Sequence, residues 1–416
     1  MPDAPFDLLI HSTSEVITAT GEPTGPAERA LAPLTGSVVG IRAGAIAYLG
    51  TSAAVPPGAI GPTTRIIDAR GGFVGPGFVD PHTHAVFAGD RSDEFEARCR
   101  GASYLEIARA GGGIMSTVRA TRAASEDELE ALALPRLARL LAQGVTTAEV
   151  KSGYGLDLPS ELKLLRVIRR LAERQPIELV PTLLCAHAIP EERRADREGY
   201  VRTCVEEIIP QAAEAKLARF CDAFVEESAF TVEEGRRVLE AGKAHGLIPR
   251  LHADQLSAMG ASRLAAEIGA ATADHLEQVD DAGIAALAGA GVAAVLVPTS
   301  TLFLRQHRYA PGRRLRDAGI ELGLGTNLNP GSAMSESVAL ALSLACLENG
   351  LTPAEAYWAA TRGAANALRL PEAGRIRVGG PADCAVFSCP SYRDLPYRIA
   401  MRQVVVVIKR GEVVFS

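Results

Sequence analysis

The chain has 416 residues, 47% hydrophobic and 22% charged, enough apolar material for a large core and too much for a disordered chain. Its 43 Lys and Arg against 49 Asp and Glu give a net charge of −6, with no basic run and only 5% aromatics, which disfavours binding to nucleic acid or a membrane surface. No run of about 18 apolar residues exists, and Met1 to Pro5 lack the basic and apolar regions of a signal peptide, so a cytoplasmic protein is expected.

At about 150 residues per domain the length allows two or three units, or one large α/β barrel with a satellite. Residues 1–70 hold short apolar stretches between Gly and Pro, at 7–10, 16–19, 37–41, 46–49 and 65–68, which predict a small β-unit. From 71 to 373 short β-branched runs alternate with Ala-, Leu-, Glu- and Arg-rich helical patterns. Strands are expected at 72–79, 146–150, 178–184, 223–225, 248–251, 272–273, 293–297 and 322–325. Helices are expected at 126–142, 160–173, 232–244, 260–267, 280–290, 335–349 and 353–368. Eight strands with intervening helices predict a (β/α)8 TIM-like barrel. Strand signals return at 382–387, 404–408 and 412–415, so 1–70 and 374–416 are expected to build one composite sheet in a small β-sandwich domain formed from both termini.

One connection, 85–125, runs to about 40 residues, a length usual for functional loops. It leaves the C-terminal end of the first strand and carries Arg91 and the run Gly111, Gly112, Gly113. A lid or substrate-holding loop over the catalytic face is the expected role. The cysteines, Cys99, Cys185, Cys204, Cys221, Cys346, Cys384 and Cys389, stand singly, which predicts reduced thiols and neither a disulfide framework nor a thiolate metal site.

The residues just past the expected strands form a non-random set: His82 and His84, Lys151 and Tyr154, His187, Glu226 and Glu227, His252, His275, Thr299, then Asn327 and Asn329. Five of the 8 histidines therefore fall on one rim, while His11, His245 and His307 lie in segments read as surface or loop. His82 and His84, two apart past an extended strand, point the same way, so both imidazoles reach one cation. With His252 and His275 on later strands they predict a site for Zn²⁺ or Fe²⁺. Such a cation, with an open position, supports hydrolysis. His275, or a carboxylate at the end of the last strand, is the expected base.

The stretch Pro76-Gly77-Phe78-Val79-Asp80-Pro81-His82-Thr83-His84 is followed by Gly89-Asp90-Arg91, Gly101-Ala102-Ser103-Tyr104 and Gly111-Gly112-Gly113-Ile114. Further on come Lys151-Ser152-Gly153-Tyr154-Gly155, Ala186-His187-Ala188, His252-Ala253-Asp254-Gln255, Ala273-Asp274-His275-Leu276-Glu277 and Asn329-Pro330-Gly331. Over almost its whole length the chain thus resembles the imidazolonepropionase family of the amidohydrolase superfamily. His-x-His marks the superfamily; Gly-Asp-Arg, Ser-Gly-Tyr-Gly and His-Ala-Asp-Gln together mark the family. The resemblance implies hydrolysis of 4-imidazolone-5-propanoate to N-formimidoyl-L-glutamate in histidine degradation, with one divalent metal, zinc or iron. It implies His82, His84 and His252 as metal ligands, with Asn327 at the fourth ligand position. Arg91 would pair with the anionic substrate, since a planar guanidinium grips a carboxylate bidentately; the bland alternative for Arg91 is a salt bridge to Asp90 or Asp93. Tyr154 and His187 would hydrogen-bond substrate or product, and Gln255, Asn329, Gly331 and Ser332 would complete the pocket. His275, Asn327 and Gln255 would be the catalytic positions. The partner is a small molecule, and the reading leaves room for a homodimer.

The family pattern at the last strand is Thr-Asp-x-Asn-Pro-Gly, whereas this chain reads Thr326-Asn327-Leu328-Asn329-Pro330-Gly331. An amide offers a carbonyl oxygen to a metal but is no base. Metal affinity should fall, while the more positive site makes water more acidic. Three readings follow: an active enzyme in which His275 takes the proton, a weakened enzyme, or a ligand-binding protein without turnover. A deaminase of heteroaromatic rings is a further alternative on the same barrel. It resembles a His-x-x-Glu pattern whose Glu shuttles protons, and Gln255 at that place counts against it.

Overall fold

The computed structural model describes residues 4–22, 26–101 and 112–416. Strands buried on both faces read as unbroken apolar runs, and the eight such runs form one parallel sheet. They are Phe78–Asp80 (β1), Val145–Lys151 (β2), Glu178–Ala186 (β3), Phe220–Val225 (β4), Ile248–Ala253 (β5), Thr272–His275 (β6), Ala293–Leu296 (β7) and Leu322–Leu324 (β8). Each strand pairs with its sequence neighbour. The sheet curls until its ends meet just past the strands, where Asn327 N donates to the His82 carbonyl at 3.0 Å and His84 N to the Leu328 carbonyl at 3.2 Å. This is the TIM-like barrel expected, and its seam lies between the segments bearing the first two histidines and Asn327.

Helices at Glu126–Ala142 and Val232–Ala244 have the expected bounds, because capping boxes define their starts: Ser125 with Glu128 and Thr231 with Glu234. The expected helix 353–368 is instead broken into Pro353–Trp358, a π-turn at Ala359–Gly363 and Ala364–Ala367. There the Thr361 hydroxyl bonds back to the Tyr357 carbonyl at 2.7 Å. The expected 335–349 helix shortens to Val338–Leu347. Short helices at Arg197–Thr203, Ile209–Glu214, Pro298–Phe303 and Gly312–Asp317 escaped the sequence reading, because one or two turns show no period. In the long connection the described residues form helices Ser92–Cys99 and Ile114–Ala123. Residues 102–111, with most of the motif begun by Gly101 and the first glycine of the Gly111 run, lie outside the described residues.

The expected strand 72–79 is two strands. Val74–Pro76 joins a six-stranded sheet with Glu412–Phe415, Val404–Lys409, Cys384–Phe387, Glu15–Ile17 and Pro33–Thr35, and only Phe78–Asp80 enters the barrel. Gly77 makes the switch where a Cβ would sit 2.2 Å from Thr146 Cγ2. The expected single composite sheet is likewise two sheets. The second holds Ala45–Thr51, Ser37–Arg42, Leu8–His11 and Arg65–Asp68, all from the N-terminal part. Ile10, Val39 and Ile41 of one sheet and Val16, Val74, Val386 and Ile408 of the other share a core, which makes the unit a sandwich.

Candidate active site

Strand ends at the C-terminal face of the barrel open into a cavity of about 810 Å³. Among its lining residues are Arg91, Tyr154, His187, His252, Gln255, His275, Asn327, Asn329, Gly331 and Ser332. The described candidates implied by the resemblance therefore line one space, apart from His82, which is fully buried. Candidate ligand atoms of His82, His84 and His252 lie within 4.8 Å of one another. His82 and His84 follow β1, and His252 lies in β5.

The orientation of these rings is set from below. Asp274 accepts from His82 Nδ1 at 2.6 Å, and Asp222 from His252 Nδ1 at 3.1 Å. Each carboxylate fixes the tautomer and leaves Nε2 as the free nitrogen. Nε2 of His82 and His252, both ring nitrogens of His84 and Oδ1 of Asn327 are buried without a hydrogen-bond partner. Orphaned imidazole nitrogens gathered within 4.8 Å are costly unless a cation satisfies them. Burial holds His82 and His84 well below the usual imidazole pKa, so the rings are neutral and fit to ligate.

Under the carboxylates lies a fully buried ionic cluster. Lys151 Nζ donates to Glu149 and Asp222 at 2.9 Å each, and Arg250 Nη2 donates to Asp274 at 2.5 Å and the Pro81 carbonyl at 2.8 Å. Burial alone would raise Asp222, but His252, Lys151 and Arg250 hold its carboxyl well below the ordinary range. Asp80, with Thr326 Oγ1 donating at 2.6 Å, is pushed up to about 7 by burial.

The walls come from other strand ends. Glu161 accepts from the backbone N–H of Gly155 and Leu156 at 2.8 and 2.9 Å and from Gly153, a carboxylate cradle that fixes the loop carrying Tyr154. His187 Nδ1 donates to the Gly153 carbonyl at 2.9 Å, and burial lowers its pKa to about 3, so a neutral ring turns Nε2 away from that bond. Tyr154 is buried with the Asn329 side chain as hydrogen-bond partner. Arg91 forks onto Glu94 Oε2 at 2.9 and 2.6 Å, and not onto Asp90 or Asp93 as the sequence alternative had it. A Cβ at Gly331 would sit 2.3 Å from Arg91 Nη1, so the bare backbone there makes room for the guanidinium. Asn327 Nδ2 donates to Ser332 Oγ at 3.1 Å, which leaves Oδ1 as its free acceptor. His275 and Asn327 have φ of 79° and 68°, left-handed conformations that cost about 1–3 kcal/mol for ordinary residues and less for Asn.

Lys151, Glu226 and Thr299, read from sequence as rim residues, are buried: Lys151 belongs to the ionic cluster, and Glu226 accepts the Leu256 N–H at 2.8 Å. His307, read as surface or loop, lines the cavity. Sequence reasoning missed Asp222, Arg250 and Glu161. The available signal was a charged side chain inside an apolar run, as in Phe220-Cys221-Asp222-Ala223, because a charge in a buried strand needs partners.

The model of the amidohydrolase family matches residues 73–414. The imidazolonepropionase of Myxococcus xanthus is 67% identical over 98% of this chain and 97% of its own length, and that of Anaeromyxobacter sp. (strain K) is 52% identical over 94% and 92%. A triazine hydrolase variant of known structure shares 19% identity with a TM-score of 0.73, covering 98% of this chain and 94% of that one, and shows the likeness of fold.

Proposed function

The chain belongs to the amidohydrolase family and, within it, to the imidazolonepropionases, and on that premise we propose how its residues divide the work. It is a hydrolase of cyclic-amide C–N bonds, converting 4-imidazolone-5-propanoate to N-formimidoyl-L-glutamate in histidine degradation. The observation that carries the assignment of roles is the convergence of three buried imidazoles with partnerless nitrogens at a cavity walled by Arg91.

His82, His84 and His252, with Oδ1 of Asn327, would hold one divalent cation. Imidazole donors suit zinc or iron. When bound, such a cation polarises a carbonyl and brings the pKa of a water from 15.7 toward about 7. Arg91 takes the propanoate carboxylate, since Glu94 occupies only part of its five-donor fork. His187 and Tyr154 hold the ring, and Gln255, Asn329, Gly331 and Ser332 close around it. His275 accepts the proton of the attacking water, because Asn327 cannot. Gln255, lacking a titratable proton, speaks against deamination. Among the described residues no helix is long and apolar enough to cross a membrane; a cytoplasmic place is supported only by the metabolic activity in its relatives' name.

The test is turnover by the zinc- or iron-loaded protein, followed as loss of the substrate's ultraviolet absorbance. Turnover is expected in the protein as it stands. Binding without turnover at full metal loading would establish the ligand-binding alternative, and ammonia release from heteroaromatic amines without imidazolone turnover would establish the deaminase.

A further inference from the structure

Two of the three carboxylates that approach a site imidazole are engaged: Asp274 holds His82 and Asp222 holds His252. The third is Glu277, whose Oε1 lies 3.5 Å from Nδ1 of His275. Both residues are buried, Glu277 at 1% exposure and His275 at 2%. Nδ1 of His275 and Oε2 of Glu277 have no hydrogen-bond partner, although each is sealed from solvent. Glu277 Oε1 is gripped from behind by the Thr301 hydroxyl at 2.9 Å, on the helix that follows the next strand. The chain between them is bent on purpose. His275 and Leu276 both take left-handed φ, 79° and 71°, and the bend is pinned by Leu276 N to the Ala253 carbonyl at 3.0 Å and Gln278 N to the Asp254 carbonyl at 2.8 Å. This turn leaves Glu277 Oε1 beside Nδ1 of His275.

We propose that Glu277 is the positioning residue for His275, holding the imidazole as its Nδ1–H tautomer so that Nε2 faces the cavity. This rests on the hydrolytic reading above and extends it to the group that must move the proton when position 327 is an amide. In the reaction, water adds its oxygen to the ring carbonyl carbon and yields one proton to Nε2. The carbon–nitrogen bond then breaks with its electron pair on nitrogen, which takes that proton from Nε2, and the new carboxyl group ionises into solvent. The wrong tautomer would present an N–H to the water and abolish the first transfer.

The experiment pairs a spectroscopic arm with a kinetic one. In zinc-loaded protein with ¹⁵N-labelled histidine, assigned by His275→Asn, long-range ¹H–¹⁵N spectra should show His275 protonated at Nδ1, and Glu277→Ala should shift it toward the Nε2–H form. Glu277→Ala should lower kcat about a hundredfold, with KM and zinc content within about threefold of wild type. Glu277→Gln, which keeps an acceptor oxygen at Nδ1, should recover most of kcat and the tautomer. An Nε2–H tautomer in the wild type, an unchanged kcat in Glu277→Ala, zinc loss parallel to the loss of kcat, or a Glu277→Gln variant no better than alanine would each overturn the proposal. A correct tautomer response in a protein that turns over no imidazolone would uphold the positioning and reject the hydrolytic reading instead.

Discussion

In the proposed site, the space of a single atom at Gly331 bears on selectivity through Arg91. Arg91→Ala should raise KM by the worth of a charged hydrogen-bonding pair, about 1.5–3 kcal/mol, with kcat changed far less, as steady-state kinetics will show. Gly331→Ala should reproduce part of that defect with Arg91 still present, since its methyl would meet Nη1 at 2.3 Å. Beneath the site, Asp222→Asn and Asp274→Asn should weaken metal binding by about 10- to 100-fold, read by competition with a chromogenic chelator, because each carboxylate fixes a ligand tautomer. Asn327→Asp should move metal affinity the other way by adding an anion at the orphaned Oδ1 position. The histidines proposed as ligands were legible as residue types at strand ends. Their supporting carboxylates were not, because Asp274 lies 192 residues from His82 and Asp222 30 residues from His252, which leaves no local spacing to read.

Helix starts are where local sequence decided most. Capping boxes at Ser125/Glu128, Thr231/Glu234 and Thr352/Glu355 give sharp N-termini. Thr231→Ala should cost about 1 kcal/mol of stability, measured by denaturant unfolding, and leave kcat untouched. The three glutamates share a consequence. Backbone and side-chain bonds from Ser125 lower Glu128; burial opposes but the Arg197 and Thr231 bonds lower Glu234, and the Arg313 and Thr352 bonds lower Glu355. Carboxyls depressed in the folded state stabilise it fully above their ordinary value of 4.5, and that stability fades as pH falls below 4.5 through the lowered values. The unfolding midpoint should therefore drop on acidification below that point, and less steeply in Thr352→Ala. Elements lacking such signals, above all the π-turn at Ala359–Gly363, were beyond local reading because packing chose them: a Cβ on Gly363 would lie 2.1 Å from the Leu322 carbonyl.

Across the whole molecule the three histidines join β1 to β5, opposite parts of the barrel, and the seam between β1 and β8 closes at His82, His84 and Asn327. A ligand bound only by the folded state stabilises it by mass action. Stripping the metal with a chelator should therefore lower the calorimetric unfolding temperature, and restoring zinc or iron should raise it again. An unfolding temperature indifferent to metal would mean that these imidazoles hold none.

By itself the sequence determined the alternation of strand and helix, the barrel with its terminal β-unit, and the gathering of histidines on one rim, because period, capping and strand-end position are local properties. Tertiary structure alone decided which nitrogen His82 and His252 present, which carboxylate stands behind each, that Arg91 shares its charge with Glu94, and that Val74–Pro76 leaves the barrel for the sandwich. Those choices depend on groups far apart in the chain competing for the same buried space and the same few protons, and only the closed barrel brings them within reach of one another.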